Sequence, residues 1–225
     1  MKGKLIVIDG VDASGKETQT KKLFEYLQGK NTNVTKIEFP NYNEASSALI
    51  KMYLAGEFGL DANSVNPYAA SCFYAVDRFS SYKKHWQSLY NNGQIILADR
   101  YVTSNAIHQA VKFNDEEKDS YLDWLEDFEY NKLALPKPDL VIFLDMPPAF
   151  AISLLSNRYK GDQSKKDIHE RDNNYLQKCY GTAIYACEKL GWCRIECVEN
   201  GKIKSIEQIH KEIINEVGAT LYGRP

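Results

Sequence analysis

Hydrophobic residues follow two rhythms along this chain: short unbroken runs, and longer stretches in which they recur at spacings of three and four. Lys4–Asp9 is a β-branched and leucine run stopped by Gly10, the pattern of a strand covered on both faces. Asn33–Phe39, stopped by Pro40, repeats it, as do Gln94–Ala98 running into Asp99-Arg100, Asp139–Asp145, and Trp192–Val198. Between the first two runs, Lys16–Gly29 carries Leu23, Phe24 and Leu27 at helical spacing, with Gly29 at its C-terminal end. Residues 44–55 and 64–91 read as helices, the second with Pro67 in its first turn. Further helical stretches are expected near 104–112, over the acidic segment 115–130, from Pro148 to Asn157, from Tyr175 to Leu190, and from Ser205 to Val217. The stretch 158–166, rich in Lys, Gly and Ser, reads as a loop and a candidate lid. Strands separated by helices imply βαβ units, hence an α/β fold with a parallel sheet of about five strands and helices on both faces. No internal repeat or linker interrupts the pattern, so one domain spanning 1–225 is expected.

Composition narrows the possible roles. Of 225 residues, 28 are Lys or Arg and 30 are Asp or Glu, a formal net charge of −2. A surface that coats nucleic acid carries a basic excess, so no nucleic-acid partner is expected, and any polyanion must be held at a local site. Hydrophobic residues at 44% and charged residues at 26% suit a folded domain rather than a disordered chain. No apolar run approaches the roughly 20 residues that span a bilayer. The opening MKGKLIVIDGVDASG lacks the pattern of a signal peptide. Cys72, Cys179, Cys187, Cys193 and Cys197 are odd in number and lack metal-like spacing, and the four histidines show no zinc pattern. A reduced cytoplasmic setting is the expectation. Eight acids and one lysine between 115 and 129 read as a solvated helix face. Phe79, Tyr82, Trp86 and Tyr90 form a stripe that reads as core or subunit packing.

Chemistry enters after the first strand. Gly10-Val11-Asp12-Ala13-Ser14-Gly15-Lys16 is G-x-x-x-x-G-K in a strand–loop–helix setting. Backbone N–H groups of such a loop converge on phosphate oxygens, and the lysine neutralises the outer phosphates. The hydroxyl residue that usually follows the lysine and ligates Mg²⁺ is replaced by Glu17, with Thr18 after it. Asp9 and Asp99 both end apolar strands at the edge where ligands gather in an open parallel sheet. Asp99 is a candidate Mg²⁺ ligand, and the planar fork of Arg100 suits a phosphoryl group.

With these residues the sequence resembles the thymidylate kinases of the P-loop nucleoside monophosphate kinase group. Its marks are Gly10-Val11-Asp12, Phe39-Pro40, Tyr74-Ala75-Val76-Asp77-Arg78, Asp99-Arg100-Tyr101-Val102-Thr103-Ser104-Asn105, and Lys166-Asp167-Ile168-His169-Glu170-Arg171-Asp172. The resemblance implies a P-loop NTPase fold, ATP-dependent phosphorylation of dTMP to dTDP, Mg²⁺ as cofactor, and a homodimer. It implies that Gly10, Val11, Asp12, Ala13, Ser14, Gly15, Lys16, Glu17 and Thr18 hold ATP, with Asp99 and Glu17 as metal candidates. Asp12 would meet the 3′-hydroxyl side of dTMP, Tyr74 would stack on thymine, Arg78 would bond its carbonyl, and Arg100 would hold the phosphate. Phe39, Ser104, Asn105, His108 and Glu170 complete the implied acceptor site. The resemblance implies a catalytic set of Lys16, Asp12, Arg100 and Arg158. Ala13 is uncharged while Arg158, Lys160, Lys165 and Lys166 lie in or beside the lid, which resembles the family's lid-dependent arrangement. Asn41 stands where relatives often have an Arg, and His108 where they have a Tyr. A kinase for another pyrimidine nucleotide or nucleoside, or a nucleotide-binding switch, remains the alternative.

Overall fold

β1 (Leu5–Gly10) is buried along its whole length, as its unbroken apolar run requires. In the computed structural model, which describes residues 2–158 and 173–223, it forms the centre of a five-stranded sheet. The strand order is β2-β3-β1-β4-β5, all parallel, with β2 (Val34–Glu38), β3 (Ile95–Asp99), β4 (Leu140–Asp145) and β5 (Cys193–Glu196). Alternation along β1 divides the interior. Ile6 and Ile8 face one core, with Leu23 and Leu27 of α1 (Lys16–Gly29) and Ile209, Ile213 and Val217 near the C-terminus. Leu5 and Val7 face the other, with Trp86, Tyr101 and Leu122. Side chains of successive strand residues point to opposite faces, so both layers are sealed by one six-residue run.

The strand order fixes where a ligand can sit. The connection leaving β1 passes to β2 on one side, and the connection leaving β3 passes to β4 on the other. Their C-terminal ends therefore flank a topological switch point, the crevice in which open α/β sheets bind ligands.

The helices depart from expectation mainly at their ends. The predicted 44–55 helix is a 3₁₀ turn over Ala45–Ser47 leading into α2 (Ala48–Ala55). The long stretch 64–91 begins as α3 (Pro67–Ser81), where the Asn66 side chain accepts from the Tyr68 N–H at 2.8 Å. It then widens into a π-helical turn, Tyr82–Trp86, before α4 (Gln87–Asn91). That turn buries both Tyr82 and Trp86, whose ring centroids lie 4.5 Å apart, so the aromatic stripe is core, except that Phe79 is 37% exposed. α5 (Val102–His108) is followed by a 3₁₀ turn over Ala110–Lys112. α6 (Asp115–Glu126) continues as a π-helical segment, Asp127–Lys132. The acidic segment is not wholly a solvated face: Glu129 is fully buried, because it pairs with a buried arginine from α3.

α7 (Pro148–Arg158) and α8 (Asn173–Lys189) flank the lid region. Residues 159–172, with most of the expected lid and Glu170, lie outside the described residues, as does the side chain of Arg158. The last predicted strand is shorter than expected. β6 (Val198–Glu199) leaves the main sheet and pairs antiparallel with β7 (Lys202–Ile203). Asn200 and Gly201 turn this hairpin at φ 51° and 71°, a left-handed pair that suits Asn-Gly. α9 (Ile206–Tyr222) runs five residues beyond the predicted end and opens with a capping box between Ser205 and Gln208. None of the five cysteines forms a disulfide. Among the described residues, no helix is long and apolar enough to cross a membrane.

Candidate active site

The loop after β1 is shaped by close approach and backbone strain. A Cβ on Gly10 would stand 2.6 Å from Ser14 Oγ and 2.9 Å from the Leu144 carbonyl, so the position admits no side chain. Gly15 holds φ 91° at the N-cap of α1, and Ala13 sits at φ 59°, a conformation that costs an L-residue energy. The Ser14 hydroxyl is buried with no partner among the described residues. Lys16 is 7% exposed and donates to the Val11 carbonyl at 2.8 Å, which folds its ammonium back over the loop. Burial, seconded by the charge of Arg100, pushes the Lys16 ammonium down to about 8. Glu17 and Thr18 are exposed on the first turn of α1.

Across the switch point, Asp9 acts as a bracket. Its carboxylate is fully buried and accepts from the Gly10 N–H at 2.8 Å, the Thr103 hydroxyl at 2.5 Å and the Ser104 hydroxyl at 2.8 Å. The start of α5 is thereby tied to the end of β1. The Asp99 carboxylate, beside Lys16 and Arg100, makes no hydrogen bond or ion pair with a described residue, while its backbone carbonyl accepts from the Phe39 N–H at 3.0 Å; burial raises its carboxyl from the ordinary range. Arg100 adopts φ 64°, a strained left-handed conformation. Its Nη2 donates to Asp12 Oδ1 at 2.6 Å, and its Nη1 lies 3.5 Å from both Ser104 Oγ and His108 Nε2. Burial opposes ionisation of Asp12, but the cations of Arg100 and Lys16 overcome it and hold the carboxyl well below the usual range.

Asp12, Phe39, Tyr74, Arg78, Arg100, Ser104, Asn105 and His108 all line one cleft of about 600 Å³, so the structure gathers residues scattered over nearly a hundred positions. Val11 faces a neighbouring depression with Asp12, Leu155 and Tyr180. Arg78 is less free than the sequence suggested. It is 1% exposed and makes a two-pronged ion pair with Glu129: Nε donates to Oε2 at 2.7 Å and Nη2 to Oε1. Its Nη1 donates to the Tyr101 carbonyl at 3.3 Å. Burial works against the Arg78 charge, but Glu129 holds the guanidinium protonated beyond its ordinary range. Asp77, the preceding residue, turns the other way and accepts from the Asn41 N–H at 2.8 Å and the Ser46 hydroxyl at 2.7 Å. Asn41 therefore uses its backbone to anchor the loop after β2.

Two contributors were not foreseen. Gln109 lines the cleft, and its buried Oε1 has no partner among the described residues, leaving an acceptor for a ligand. Its position one residue past the predicted acceptor set was the available signal. Glu129 reaches the site only through Arg78, and its acid-rich neighbourhood hid it. Among the described residues no group of three or more His, Cys, Asp or Glu is placed to hold a metal.

The chemistry is that of a site built for two anions: a backbone cradle with a lysine on one side, and a guanidinium beside an aromatic-lined cleft on the other. The family model described as thymidylate kinase matches residues 8–213. The chain is 32% identical over 190 residues to thymidylate kinase from Mycobacterium tuberculosis, covering 84% of this chain and 87% of that protein. It is 28% identical over 223 residues to thymidylate kinase from Plasmodium falciparum, covering 96% and 90%. The solved structure of thymidylate kinase from Candida albicans superposes with a TM-score of 0.70 at 24% identity, covering 97% of this chain and 93% of that one, and shares the fold. A family match over residues 8–213, with a relative 32% identical over most of both chains, makes this chain a member of the thymidylate kinase family.

Proposed function

We propose that the chain transfers the terminal phosphoryl group of ATP to dTMP, giving dTDP and ADP, within one P-loop kinase domain spanning 1–225. The observation that carries the reading is the Asp12–Arg100 ion pair, which joins the phosphate loop to the acceptor cleft and brings a cation to the boundary between the two substrates.

The residues divide the work by position. The loop from Gly10 to Thr18 cradles the ATP phosphates through backbone N–H groups and the α1 N-terminus. Lys16 neutralises the outer phosphates, and Arg100 grips the acceptor phosphate bidentately. Asp12 orients Arg100 and meets the 3′-hydroxyl side of the sugar, with His108 beside it. Tyr74 stacks on the base against Phe39's side of the cleft, while Arg78, Asn105 and Gln109 supply its polar contacts. Ser104 orients both Arg100 and Asp9. Positioning and charge neutralisation do most of the catalytic work, so no covalent enzyme intermediate is required. Arg158, the lid over 158–166 and Glu170 would belong to the same site on this reading, with the lid serving to exclude water.

The Asp99 carboxylate fits a magnesium ion: it is a hard oxygen donor beside Lys16, and no described residue donates a hydrogen bond to it. Glu17, at the adjoining first turn, would serve the same shell. A magnesium ion held there would supply positive charge to offset that of the ATP phosphates. Val76 and Phe79, exposed three residues apart on α3, support a homodimer. Five cysteines held outside disulfides support a cytoplasmic setting.

ADP release measured across dTMP, dUMP, UMP, CMP, AMP and thymidine tests the reading. Preferential turnover of dTMP is expected. No acceptor-dependent turnover would remove the kinase reading, and a preference for thymidine would remove the monophosphate assignment.

A further inference from the structure

Glu129 lies behind Arg78, in the π-helical segment after α6, and is fully buried. A π-helical turn inside a helix often marks a functional site. Burying a carboxylate with a guanidinium carries a desolvation cost that a well-packed apolar pair of similar volume avoids. Packing alone therefore does not call for this pair.

What the pair provides is a fixed donor. Arginine has five N–H groups and no acceptor. Nε and Nη2 each give one to Glu129, and Nη1 gives one to the Tyr101 carbonyl. One N–H on each terminal nitrogen remains, and Arg78 lines the cleft together with Tyr74 and Asn105. With the guanidinium plane locked from behind, those hydrogens cannot follow a ligand. A carbonyl edge satisfies them, whereas an exocyclic amino group meets donor against donor. Glu129 also cancels the charge of Arg78. The base end of the cleft then offers hydrogen bonds without a competing cation, so the acceptor's phosphate is directed to Arg100.

We propose that Glu129 is a positioning residue for the acceptor base, holding Arg78 as a neutralised, donor-only fork that selects a pyrimidine with a carbonyl, rather than an amino group, on the edge facing it. This rests on the acceptor reading given above and deepens it.

Steady-state kinetics and calorimetric binding with dTMP and dCMP test it, in the wild type, Glu129→Gln, Glu129→Asp, Arg78→Met and Arg78→Met/Glu129→Gln. In Glu129→Gln, KM for dTMP should rise about tenfold with a much smaller change in kcat, and preference for dTMP over dCMP should fall by about the same factor. Glu129→Asp keeps the buried cation paired, so it folds even where Glu129→Gln does not, and should lose preference in the same direction. In the Arg78→Met background, Glu129→Gln should change preference no further. Wild-type preference in a folded Glu129 variant would overturn the inference. So would an equal loss with and without Arg78, since Glu129 would then act through packing. A wild-type protein that binds neither nucleotide, or prefers dCMP, overturns the acceptor reading itself and this inference with it.

Discussion

Asp12 Oδ1 and Arg100 Nη2 lie 2.6 Å apart, although the residues stand 88 positions apart in the chain and both belong to strained turns, with Ala13 at φ 59° and Arg100 at φ 64°. The pair ties the loop after β1 to the residue that follows β3. On the proposed reading, in which Arg100 meets the acceptor phosphate, its guanidinium is held in place beforehand, with much of its ordering cost already met by the fold.

Arg100→Ala should therefore cost about 3 kcal/mol of transition-state stabilisation, because a charge-assisted contact is lost and a phosphate is left without its partner. On the reading above, this lowers kcat/KM for dTMP by about two orders of magnitude. Unchanged kcat/KM in a folded variant would remove Arg100 from the acceptor site.

Asp12 has a lowered carboxyl in the folded state, so its stabilising contribution is present above the unfolded value of about 4 and lost as pH falls toward the folded one. Asp12→Asn should lower stability by about 2 kcal/mol at neutral pH. Urea unfolding at a series of pH values should show the gap to wild type narrowing from pH 6 to pH 3. A gap constant over that range would mean the ion pair carries no net stability.

Lys16 is lowered to about 8, so the free protein sheds this cation as pH rises through that value. A bound triphosphate restores it by favouring the charged form. The pH profile should then split: kcat/KM for ATP falls about tenfold per unit above pH 8, while kcat stays flat. Calorimetry in buffers of different ionisation enthalpy should report proton uptake on ATP binding at pH 8.5. No uptake would contradict a deprotonating Lys16.

Gly10→Ala drives a Cβ into the Ser14 hydroxyl and the Leu144 carbonyl. The loop must open to relieve backbone contact, so ATP affinity should drop by at least tenfold, and stability by about 2 kcal/mol. Fluorescent-nucleotide titration and thermal melts read the two separately, and wild-type affinity would show that the cradle tolerates the side chain.

Ser205→Ala breaks one half of the capping box of α9 and should cost about 1 kcal/mol. The Gln19 amide of α1 donates to the Ile206 carbonyl at 2.9 Å, so the start of α9 is joined to the helix that opens the phosphate site. A lower urea midpoint at unchanged slope is expected; an unaltered midpoint would make the cap idle.

Much of this was legible in the chain because local pattern and long-range role coincide. The run from Leu5 to Ile8 could only be a two-sided buried strand, and the glycine–lysine spacing after it declared a phosphate loop. Asp99-Arg100 were legible because they end another such run. The π-helical turns at Tyr82–Trp86 and Asp127–Lys132 left no trace, since one extra residue per turn hardly disturbs a helical pattern. Glu129 is hidden for a related reason: seven other acids precede it in the same segment, and only the arginine arriving from α3 distinguishes it. The hairpin after β5 was missed although Asn200-Gly201 signals it, because so short a ladder adds almost no alternation.

The order of strands also bears on how the chain is made. β1 touches β3 and β4 but not β2, so residues 5–38 contain two strands that are not neighbours in the finished sheet. They acquire a partner only when Ile95–Asp99 arrives, roughly 3–12 seconds later at ordinary synthesis rates. Until then the apolar run that becomes the floor of the nucleotide site is uncovered, and this interval is when a nascent chain depends most on being shielded from its neighbours.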